Sequence, residues 1–582
     1  MKKWIVVLIL FGVFFMAAML GVVLWAGDSS IEVEEGSILV LDLDGDLGES
    51  ETTAPIPIFD GPRLALREAS FALRRAAGDD RIAGVLLRLG DAGLNLAQIQ
   101  ELREALEIAR SDERPVVAYA ESYGNGGYYL ASSCDRVALL PTGHVGLRGI
   151  AASSLFVKGT LEKLGVEPEF ENVGKYKSAG EIFTEEKMSD PSRESINAIL
   201  DGIYGQLLAG IAQGREWTVE QAEAIVDEGP YEADEALEAG LVDLLVYGDE
   251  WSTLFGILEG VDEDDLPLVS VEDYVSAEIP GEDDPLDETI ALIYGVGSIH
   301  SGESETSPVR REESIGSKTM AEAVRDARLD DEIDALVLRI DSPGGSGIAS
   351  DVIWREVMLA SERIPVVVSM GGVAASGGYY ISVPADEIFV SPGTITGSIG
   401  VLGGKFNLAG LYEKIGVSHE TLRRGRRSDL YSEARAWTAE ERELVRHGME
   451  IFYDKFVQKV ADARDADWET IHAVAQGRVW TGEDAVRLGL VDRLGGLHDA
   501  IQRAKELIGV DPERLVHLRI LPEEKPLLER LLSGELFGAT IEADPLEFLL
   551  DDSPLARHRR VLESIRPGEA LALLPYEIEI DP

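Results

Sequence analysis

Residues 364–392 read IPVVVSMGGVAASGGYYISVPADEIFVSP, and residues 114–141 read RPVVAYAESYGNGGYYLASSCDRVALLP. The two stretches share their apolar run, their glycine pair and their tyrosine pair, so that Gly126 matches Gly377 at a distance of 251 positions. Other matches before and after these stretches keep nearly the same offset. Because self-similarity at one long offset is typical of duplicated structural units, the sequence predicts two half-units of the same fold.

The repeat sets the predicted domain boundaries. Residues 27–285 form an N-terminal α/β half and residues 286–508 form a C-terminal α/β half. The acidic stretch 261–287 is interpreted as the linker between them. Residues 509–582 have no counterpart in the repeat and are predicted to be a capping segment.

Within each half, apolar runs alternate with helical patterns. Continuous runs rich in Val, Ile and Leu that alternate with helices favour a parallel sheet covered on both faces, which is an α/β fold. The polar stretch 301–317 is predicted to be a loop between two such elements. In the second half the predicted strands are 290–296, 335–340, 365–370 and 387–391, and the predicted helices are 320–329, 349–361 and 376–383.

The N-terminus predicts a membrane anchor. Residues 4–26 carry no charge, and as a helix they would span about 34 Å, enough for a bilayer core of about 30 Å. We interpret them as a single uncleaved transmembrane helix, with a cleaved signal segment as the alternative. Because Lys2 and Lys3 precede the apolar run, residues 1–26 would be a cytoplasmic stub and anchor, and residues 27–582 would lie outside the cytoplasmic membrane.

Composition excludes several classes of protein. The 582 residues include 53 Lys and Arg against 106 Asp and Glu, a formal net charge of −53, so nucleic acid is not an expected partner. Cys134 is the only cysteine, which excludes an intrachain disulfide and a zinc site built from cysteines. We expect no metal site and no cofactor.

A glycine-rich turn in the second half predicts a nucleophile. Ser376 stands between a predicted strand and a predicted helix in the run ASGG. There the helix N-terminus and the following backbone N–H would favour developing negative charge. The alternative is an ordinary helix N-cap, for which serine is also preferred. In the first half the matching residue is Asn125, so that half has no nucleophile at this position.

A second glycine motif follows the strand at 335–340. Two glycines after a strand allow backbone N–H groups to converge on one oxygen, as an oxyanion hole requires. Gly344 keeps a glycine in the first half, whereas Gly345 is matched by Leu94. An ordinary tight turn is the alternative interpretation of this motif taken alone.

A serine nucleophile needs a base. We predict this base from positions at which the two halves of the repeat carry different residues. The eight histidines supply no obvious candidate, which leaves a lysine. Lys175 is matched by Arg426 and stays cationic in both halves, whereas Lys177 is matched by Ser428. A solvated surface charge is the ordinary role of a lysine. A nucleophile in one half and a candidate base in the other nevertheless favour one composite site between halves.

Four motifs together resemble the long, protease IV form of the signal peptide peptidase A family: YKSA at 176–179, SPGG at 342–345, AASGGYY at 374–380 and TGSIG at 396–400. The resemblance covers nearly the whole chain and implies two tandem Clp- or crotonase-like halves behind the N-terminal transmembrane helix. It implies a serine protease in which Ser376 is the nucleophile, Lys177 the general base and Ser398 the hydroxyl that orients the lysine. It also implies released signal peptides as substrates and a homotetramer.

The oxyanion of the peptide carbonyl is expected on the N–H groups of Gly345 and Gly377. The expected location is the bacterial cytoplasmic membrane, with the catalytic body on its outer side. Two alternatives stay open at this point: a crotonase-type enzyme acting on acyl thioesters, and a membrane-anchored scaffold with a decayed site. Whether Ser376 and Lys177 meet within one chain or between neighbouring chains also stays open.

Overall fold

The computed structural model describes residues 33–45, 47–50, 64–90, 92–110, 114–255, 267–277, 286–304, 306–307, 312–512, 514–523 and 571–573. The predicted anchor, residues 4–26, lies outside the described residues. No helix formed by the residues described above is both long enough and apolar enough to cross a membrane.

The first half is built on a mainly parallel sheet with the strand order β6-β4-β3-β2-β1-β8, and β7 adds to β4. Its central strands are continuous apolar runs because both faces are covered by helices. The strands are β1 Ser37–Leu43, β2 Ile82–Leu89, β3 Val116–Tyr123, β4 Arg136–Val145, β5 Glu167–Val173, β6 Tyr231–Glu232, β7 Leu244–Leu245 and β8 Leu268–Ser270. The helices are α1 Leu66–Ala76, α2 Leu96–Arg110, α3 Asn125–Ala131, α4 Lys158–Leu164, α5 Glu181–Thr184, α6 Asp190–Gly214, α7 Val219–Glu228, α8 Ala233–Glu238, α9 Trp251–Phe255 and α10 Val271–Ser276.

The second half repeats this plan with the order β19-β17-β15-β13-β9-β21, and β16 pairs with both β15 and β20. The seven elements predicted from periodicity are confirmed, with ends that shift by a few residues. The strands are β9 Leu286–Val296, β10 Ser298–His300, β11 Thr306–Ser307, β12 Glu312–Gly316, β13 Ala335–Ser342, β14 Gly344–Ser346, β15 Val366–Ala375, β16 Glu387–Val390, β17 Ile395–Gly397, β18 Val401–Asn407, β19 Val479–Thr481, β20 Arg493–Leu494, β21 Val516–Leu521 and β22 Leu571–Leu573. The helices are α11 Ser317–Leu329, α12 Gly347–Ser361, α13 Gly377–Ser382, α14 Ala409–Ile415, α15 Ala439–Ala463, α16 Trp468–Val474, α17 Gly482–Arg487 and α18 Leu497–Leu507.

Two stretches predicted to be connections contain regular structure instead. Part of the acidic stretch 261–287 is strand β8, which pairs with β1. Its middle residue, Val269, is buried in the first core. Part of the polar stretch 301–317 is strand β12, which runs parallel to β10. Ile315 buries its side chain in the second core, which anchors this otherwise polar strand between β11 and β10.

A third sheet joins the two halves, with the order β11-β12-β10-β14-β22-β18-β5. Strand β18 of the second half pairs antiparallel with β5 of the first half over seven residue pairs, from Val401 opposite Val173 to Asn407 opposite Glu167. Residues 571–573 form β22, which lies antiparallel between β14 and β18. The halves are therefore linked by backbone pairing as well as by side-chain packing.

A buried ion-pair cluster also crosses the contact between the halves. Arg339 on β13 is fully buried, and its guanidinium lies 2.8 Å from Glu49 and 2.7 Å from Glu101 of the first half. A buried cation needs such partners, because an unpaired charge away from water is strongly destabilising. The contact between the halves therefore requires Glu49 and Glu101 opposite Arg339.

Candidate active site

The three polar residues singled out in the sequence meet at the contact between the halves. Nζ of Lys177 donates to Oγ of Ser376 at 2.8 Å and to Oγ of Ser398 at 2.9 Å. Nζ also lies 3.1 Å from the backbone carbonyl oxygen of Ser398. A hydroxyl and an amine at this distance can exchange a proton directly. In this structure the pair forms within one chain.

Burial determines the protonation of the lysine. Lys177 is 1% exposed, and Ser376 and Ser398 are 0% exposed. Burial lowers the pKa of Lys177 well below its usual value, because the charged ammonium loses its hydration. No carboxylate among the described residues forms a salt bridge with Nζ to offset this loss. The amine is thereby shifted toward the neutral form, which can accept a proton.

Ser376 stands in a strained turn between β15 and α13. Its backbone has φ 55° and ψ −107°, a region that residues other than glycine rarely adopt. Two backbone hydrogen bonds hold it there: its N–H donates to Gly397 at 2.8 Å, and its carbonyl accepts from Tyr380 at 2.8 Å. Strain of this kind persists only where the surroundings impose it, and it concentrates at functional sites.

Strand β14 lies against this turn. Gly345 has φ 154°, and a Cβ at this position would lie 2.1 Å from the carbonyl oxygen of Ile299, so only glycine fits. A Cβ on Gly377 would lie 3.2 Å from the backbone nitrogen of Gly345. The predicted oxyanion residues Gly345 and Gly377 are therefore neighbours beside the serine.

The lysine loop is held by the second half. Tyr176 N–H donates across to the carbonyl of Gln476 at 2.9 Å, while within the loop Lys177 N–H donates to the carbonyl of Gly174 at 3.1 Å. Gly477 has φ 79°, and a Cβ there would lie 2.6 Å from the backbone nitrogen of Lys177. Sequence reasoning missed Gly477, because a single glycine between a helix and a strand does not indicate what packs against it.

The neighbouring lysine and the residue that matches the base lie outside the site. Lys175 is exposed, and its Nζ lies 4.4 Å from the ring centroid of Tyr176. Ser428, which matches Lys177 in the repeat, is exposed and donates to the carbonyl of Gly425 at 3.1 Å. The comparison of the two halves therefore distinguished Lys177, which is buried, from Lys175, which is exposed.

In the first half, Asn125 matches Ser376 and has a structural role. The side-chain amide of Asn125 donates to the carbonyl of Gly149 at 3.1 Å, and its oxygen accepts from the N–H of Arg148 at 3.1 Å. The side chain is buried and uses both ends to close the loop after β4. Leu94, which matches Gly345, is buried in the first core.

Within the described part of the chain, no group of three or more His, Cys, Asp or Glu side chains is arranged to hold a metal ion. The chemistry available at this site is that of a serine, a lysine that burial shifts toward neutrality, and backbone N–H groups. This set of groups is suited to acyl transfer.

Comparison with known proteins agrees with this chemistry. The profile of peptidase family S49 matches residues 108–261 and 359–511, one match in each half. The chain therefore belongs to peptidase family S49 and is a serine peptidase with two tandem S49 domains in a mixed α/β fold.

Its relatives include the protein named Serine protease SPPA, chloroplastic, of Arabidopsis thaliana, which is 35% identical over 89% of this chain and 76% of that protein. Protease 4 of Salmonella typhi is 35% identical over 90% of this chain and 86% of its own length. Among solved structures, a ClpP1 mutant from Listeria monocytogenes matches 36% of this chain and 94% of its own at 15% identity, with a TM-score of 0.24. At that score the likeness to Clp stays a prediction.

Proposed function

We propose that the protein is a membrane-anchored serine endopeptidase in which Ser376 is the nucleophile and Lys177 is the general base. The observation that carries the proposal is the 2.8 Å contact between Lys177 Nζ and Ser376 Oγ in a site without exposure to water. Ser398 orients the amine through its hydroxyl and its carbonyl, so that the lone pair of neutral Lys177 is directed at Ser376.

The proposed reaction proceeds in two steps. Neutral Lys177 takes the hydroxyl proton as Ser376 Oγ attacks the peptide carbonyl, and the oxyanion is stabilised by the N–H groups of Gly345 and Gly377. Lys177 then protonates the leaving amine, which leaves an acyl ester on Ser376. Water, deprotonated by the same lysine, hydrolyses the ester, releases the second product as a carboxylic acid and restores the serine.

The proposed substrates are released signal peptides and other membrane-associated peptides. The apolar residues 4–26 behind Lys2 and Lys3 support an anchor in the bacterial cytoplasmic membrane with the catalytic body on its outer side. A protein of Enterococcus faecium named Putative signal peptide peptidase SppA is 36% identical over 178 residues, which supports the same substrate class. A homotetramer is the proposed assembly.

One labelling experiment tests the dyad. The full chain is treated with a fluorophosphonate, and the modified residue is mapped by mass spectrometry. We expect the label on Ser376 and a loss of labelling of about 10²–10⁴-fold in Lys177→Ala, the usual contribution of a general base. Lys175→Ala is the matched control, because that lysine is exposed and should label as the unmodified protein does. No label on Ser376 would contradict the proposal and favour a scaffold. Equal labelling of Ser376 in Lys177→Ala and Lys175→Ala would contradict the role of Lys177 as the base.

A second experiment tests the proposed membrane topology. Protease added to intact spheroplasts should digest the body, because the proposed topology puts residues 27–582 outside. Full protection of the body would contradict this topology and, with it, the signal-peptide substrate. An immunoblot against the C-terminal half measures the outcome, with a cytoplasmic protein as the protected control.

A further inference from the structure

A bridge of three side chains crosses the contact between the halves beside the proposed base. Arg478 of the second half directly precedes β19, and its guanidinium donates to the hydroxyl of Tyr176 at 3.1 Å and to the carboxylate of Glu194 at 2.8 Å. Tyr176 and Glu194 both belong to the first half, and the hydroxyl of Tyr176 donates to the same carboxylate at 3.0 Å. The three groups therefore bond one another in a closed set.

The guanidinium of Arg478 is also held by aromatic rings. Its central carbon lies 4.3 Å from the ring centroid of Trp480 and 5.0 Å from that of Tyr176. A cation at such a distance over a ring is attracted by the negative face of the ring. Arginine can stack and donate two hydrogen bonds at the same time because its cation is planar, whereas the ammonium of a lysine cannot. The bridge therefore needs an arginine.

Tyr176 connects the bridge to the proposed base, because it directly precedes Lys177. The second half contacts Tyr176 twice: the carbonyl of Gln476 accepts from its N–H at 2.9 Å, and Arg478 donates to its hydroxyl. Two contacts at opposite ends of one buried residue fix its orientation. They thereby fix the direction in which the side chain of Lys177 leaves the backbone.

The backbone of Arg478 contacts the third polar residue of the site. Its carbonyl accepts from the N–H of Ser398 at 2.7 Å, and the N–H of the preceding Gly477 donates to the carbonyl of Ile399 at 2.7 Å. Ser398 has φ 52°, a value that residues other than glycine rarely adopt, so these two bonds help to hold its conformation. Arg478 therefore contacts the neighbour of the base with its side chain and Ser398 with its backbone.

The first half lacks this bridge. Helices α8 and α17 are equivalent at an offset of 249 positions, and at that offset Gly229 stands in the place of Arg478. Tyr176 is matched by Arg427 at an offset of 251 positions, and Arg427 is exposed and pairs with Glu440. A contact that the shared fold requires would be expected in both halves. This one occurs only where the lysine meets the serine.

We propose that Arg478 is a positioning residue for the base: its bridge to the first half keeps the Lys177 loop closed on the second half, so that Nζ stays beside Ser376 and away from water. The inference rests on the proposed function, because it needs Lys177 to act as the base. Among the described residues, Nζ bonds Ser376 and Ser398 and no arginine. Arg478 therefore acts through Tyr176 and Ser398, not on the reacting atoms.

Loss of the bridge has a consequence for protonation. Lys177 is 1% exposed, and burial lowers its pKa because the ammonium loses its hydration. The charged groups that the structure places around its loop are Lys175, Glu194 and Arg478, and in the described part of the chain none of the three bonds Nζ. A loosened loop would admit water to Nζ and raise this pKa toward its ordinary value.

The pH dependence of labelling tests the proposal. Fluorophosphonate labelling of Ser376 is followed in the full chain, in mild detergent, from neutral pH to about 10.4, the usual pKa of lysine. At neutral pH we expect Arg478→Met to be labelled at least roughly tenfold more slowly than the natural protein, because less of its lysine is neutral. At the alkaline end, where the lysine is largely neutral in both proteins, the difference should shrink to about threefold or less.

Two results with Arg478→Met would overturn the proposal. The first is an unchanged rate at neutral pH. The second is a loss of the same size at every pH, because a general loss of structure does not depend on the protonation of Lys177.

Two matched variants separate the bridge from the charge. Arg478→Lys keeps the positive charge but lacks the planar fork, so it should show the same pH-dependent loss as Arg478→Met. Arg487→Met removes an exposed arginine of α17 that pairs with Asp484, and it should be labelled as the natural protein is. Full recovery in Arg478→Lys, or an equal loss in Arg487→Met, would overturn the role of the bridge.

A double variant tests whether Arg478 acts through Tyr176. Tyr176→Phe keeps the ring and removes the hydroxyl, so it should slow labelling at neutral pH by less than Arg478→Met does. The two changes together should slow labelling about as much as Arg478→Met alone, because both remove the same contact. A loss equal to the product of the two single losses would overturn this route.

The natural protein in the same series separates this inference from the proposed function. No label on Ser376 of the natural protein would overturn the dyad and this inference together. A labelled natural protein with an unchanged Arg478→Met would overturn this inference alone.

Discussion

The Nζ of Lys177 lies 2.8 Å from the Oγ of Ser376, although the two residues are 199 positions apart in the chain and belong to different halves of the repeat. Each half has kept the scaffold and one of the two groups.

The first prediction concerns pH. Lys177 must be neutral to accept the proton of Ser376, so kcat/KM should rise with pH as the lysine loses its own proton. Because burial lowers the pKa of Lys177, this rise should be centred well below about 10.4, the usual value for lysine. The profile is measured with a fluorogenic peptide. A rise centred at the ordinary lysine value would contradict the role of burial.

The second prediction concerns stability. Between the lowered pKa of Lys177 in the folded protein and the usual pKa in the unfolded chain, the unfolded chain binds more protons. Folding stability of the natural protein should therefore rise with pH across this window, by at most about 1.4 kcal/mol per pH unit from this group. Lys177→Met lacks the titrating group. As the pH rises, the free energy of unfolding of the natural protein should therefore increase relative to that of Lys177→Met. Urea denaturation of both proteins from neutral to mildly alkaline pH measures it, and a constant difference would contradict the prediction.

The third prediction concerns Ser398. Ser398→Ala removes the hydroxyl that accepts from Lys177 Nζ at 2.9 Å but keeps the backbone carbonyl at 3.1 Å. We expect kcat to fall about tenfold with little change in KM, since one hydrogen bond is worth about 1–1.5 kcal/mol. Ser398→Thr keeps a hydroxyl, but Ser398 has φ 52°, where a β-branched residue is strained, so this variant should recover only part of the rate. Ser428→Ala, at the exposed counterpart of Lys177, is the control that should change nothing.

The fourth prediction concerns the vestigial turn of the first half. Asn125→Ser in a Ser376→Ala background should give no activity, because Leu94 replaces the second glycine and Ser428 replaces the lysine. It should also lower the free energy of unfolding by about 1–3 kcal/mol, since the hydrogen bonds to Gly149 and Arg148 are lost. Peptidase assay and denaturation of the double variant measure both effects. Recovered activity would show that the first half retains a working site.

The fifth prediction concerns β22. Residues 571–573 lie between β14 and β18, and Ala572 is opposite Gly345. Gly345 in turn neighbours the turn of Ser376, which has no exposure to water. Ala572→Pro removes a backbone N–H from this strand and should weaken its pairing. We expect fluorophosphonate labelling of Ser376 to become roughly tenfold faster, the factor given by about 1.4 kcal/mol of lost pairing.

The control for β22 is Ala572→Ser, which keeps the N–H and should label at the natural rate. A synthetic peptide that covers residues 567–577, added to Ala572→Pro, should slow the labelling again, whereas a scrambled peptide should not. Equal rates in all three proteins would show that β22 does not limit access to the serine.

Much of the second half could be predicted because its signals are local. Strand β13 and helix α12 have the apolar periodicities of a buried strand and a covering helix, and both lie where the sequence indicated. Ser376 and Lys177 were singled out by a comparison within the chain, since each has a different residue, Asn125 and Ser428, at the matching position of the other half. That comparison required no knowledge of distances. Ser398 was predicted only from the resemblance of TGSIG at 396–400 to a family motif.

The rest depends on contacts between distant segments. Strand β5 contains a proline and three glutamates and β18 contains two glycines, so neither has the composition of a strand on its own. They become strands because they pair with each other. Gly477 was missed for the same reason. It must be glycine because it packs against the backbone of Lys177, which is 300 positions earlier in the chain.

The position of Gly477 has a consequence for the timing of biosynthesis. The segment around Gln476 and Gly477 holds the loop of Lys177, and Ser398 N–H donates to the carbonyl of Arg478 at 2.7 Å. A ribosome makes the chain from its N-terminus, so Lys177, Ser376 and Ser398 are all synthesised before the segment that aligns them. If the proposed dyad is correct, the nascent chain should therefore stay inactive until more than four-fifths of its length has been synthesised.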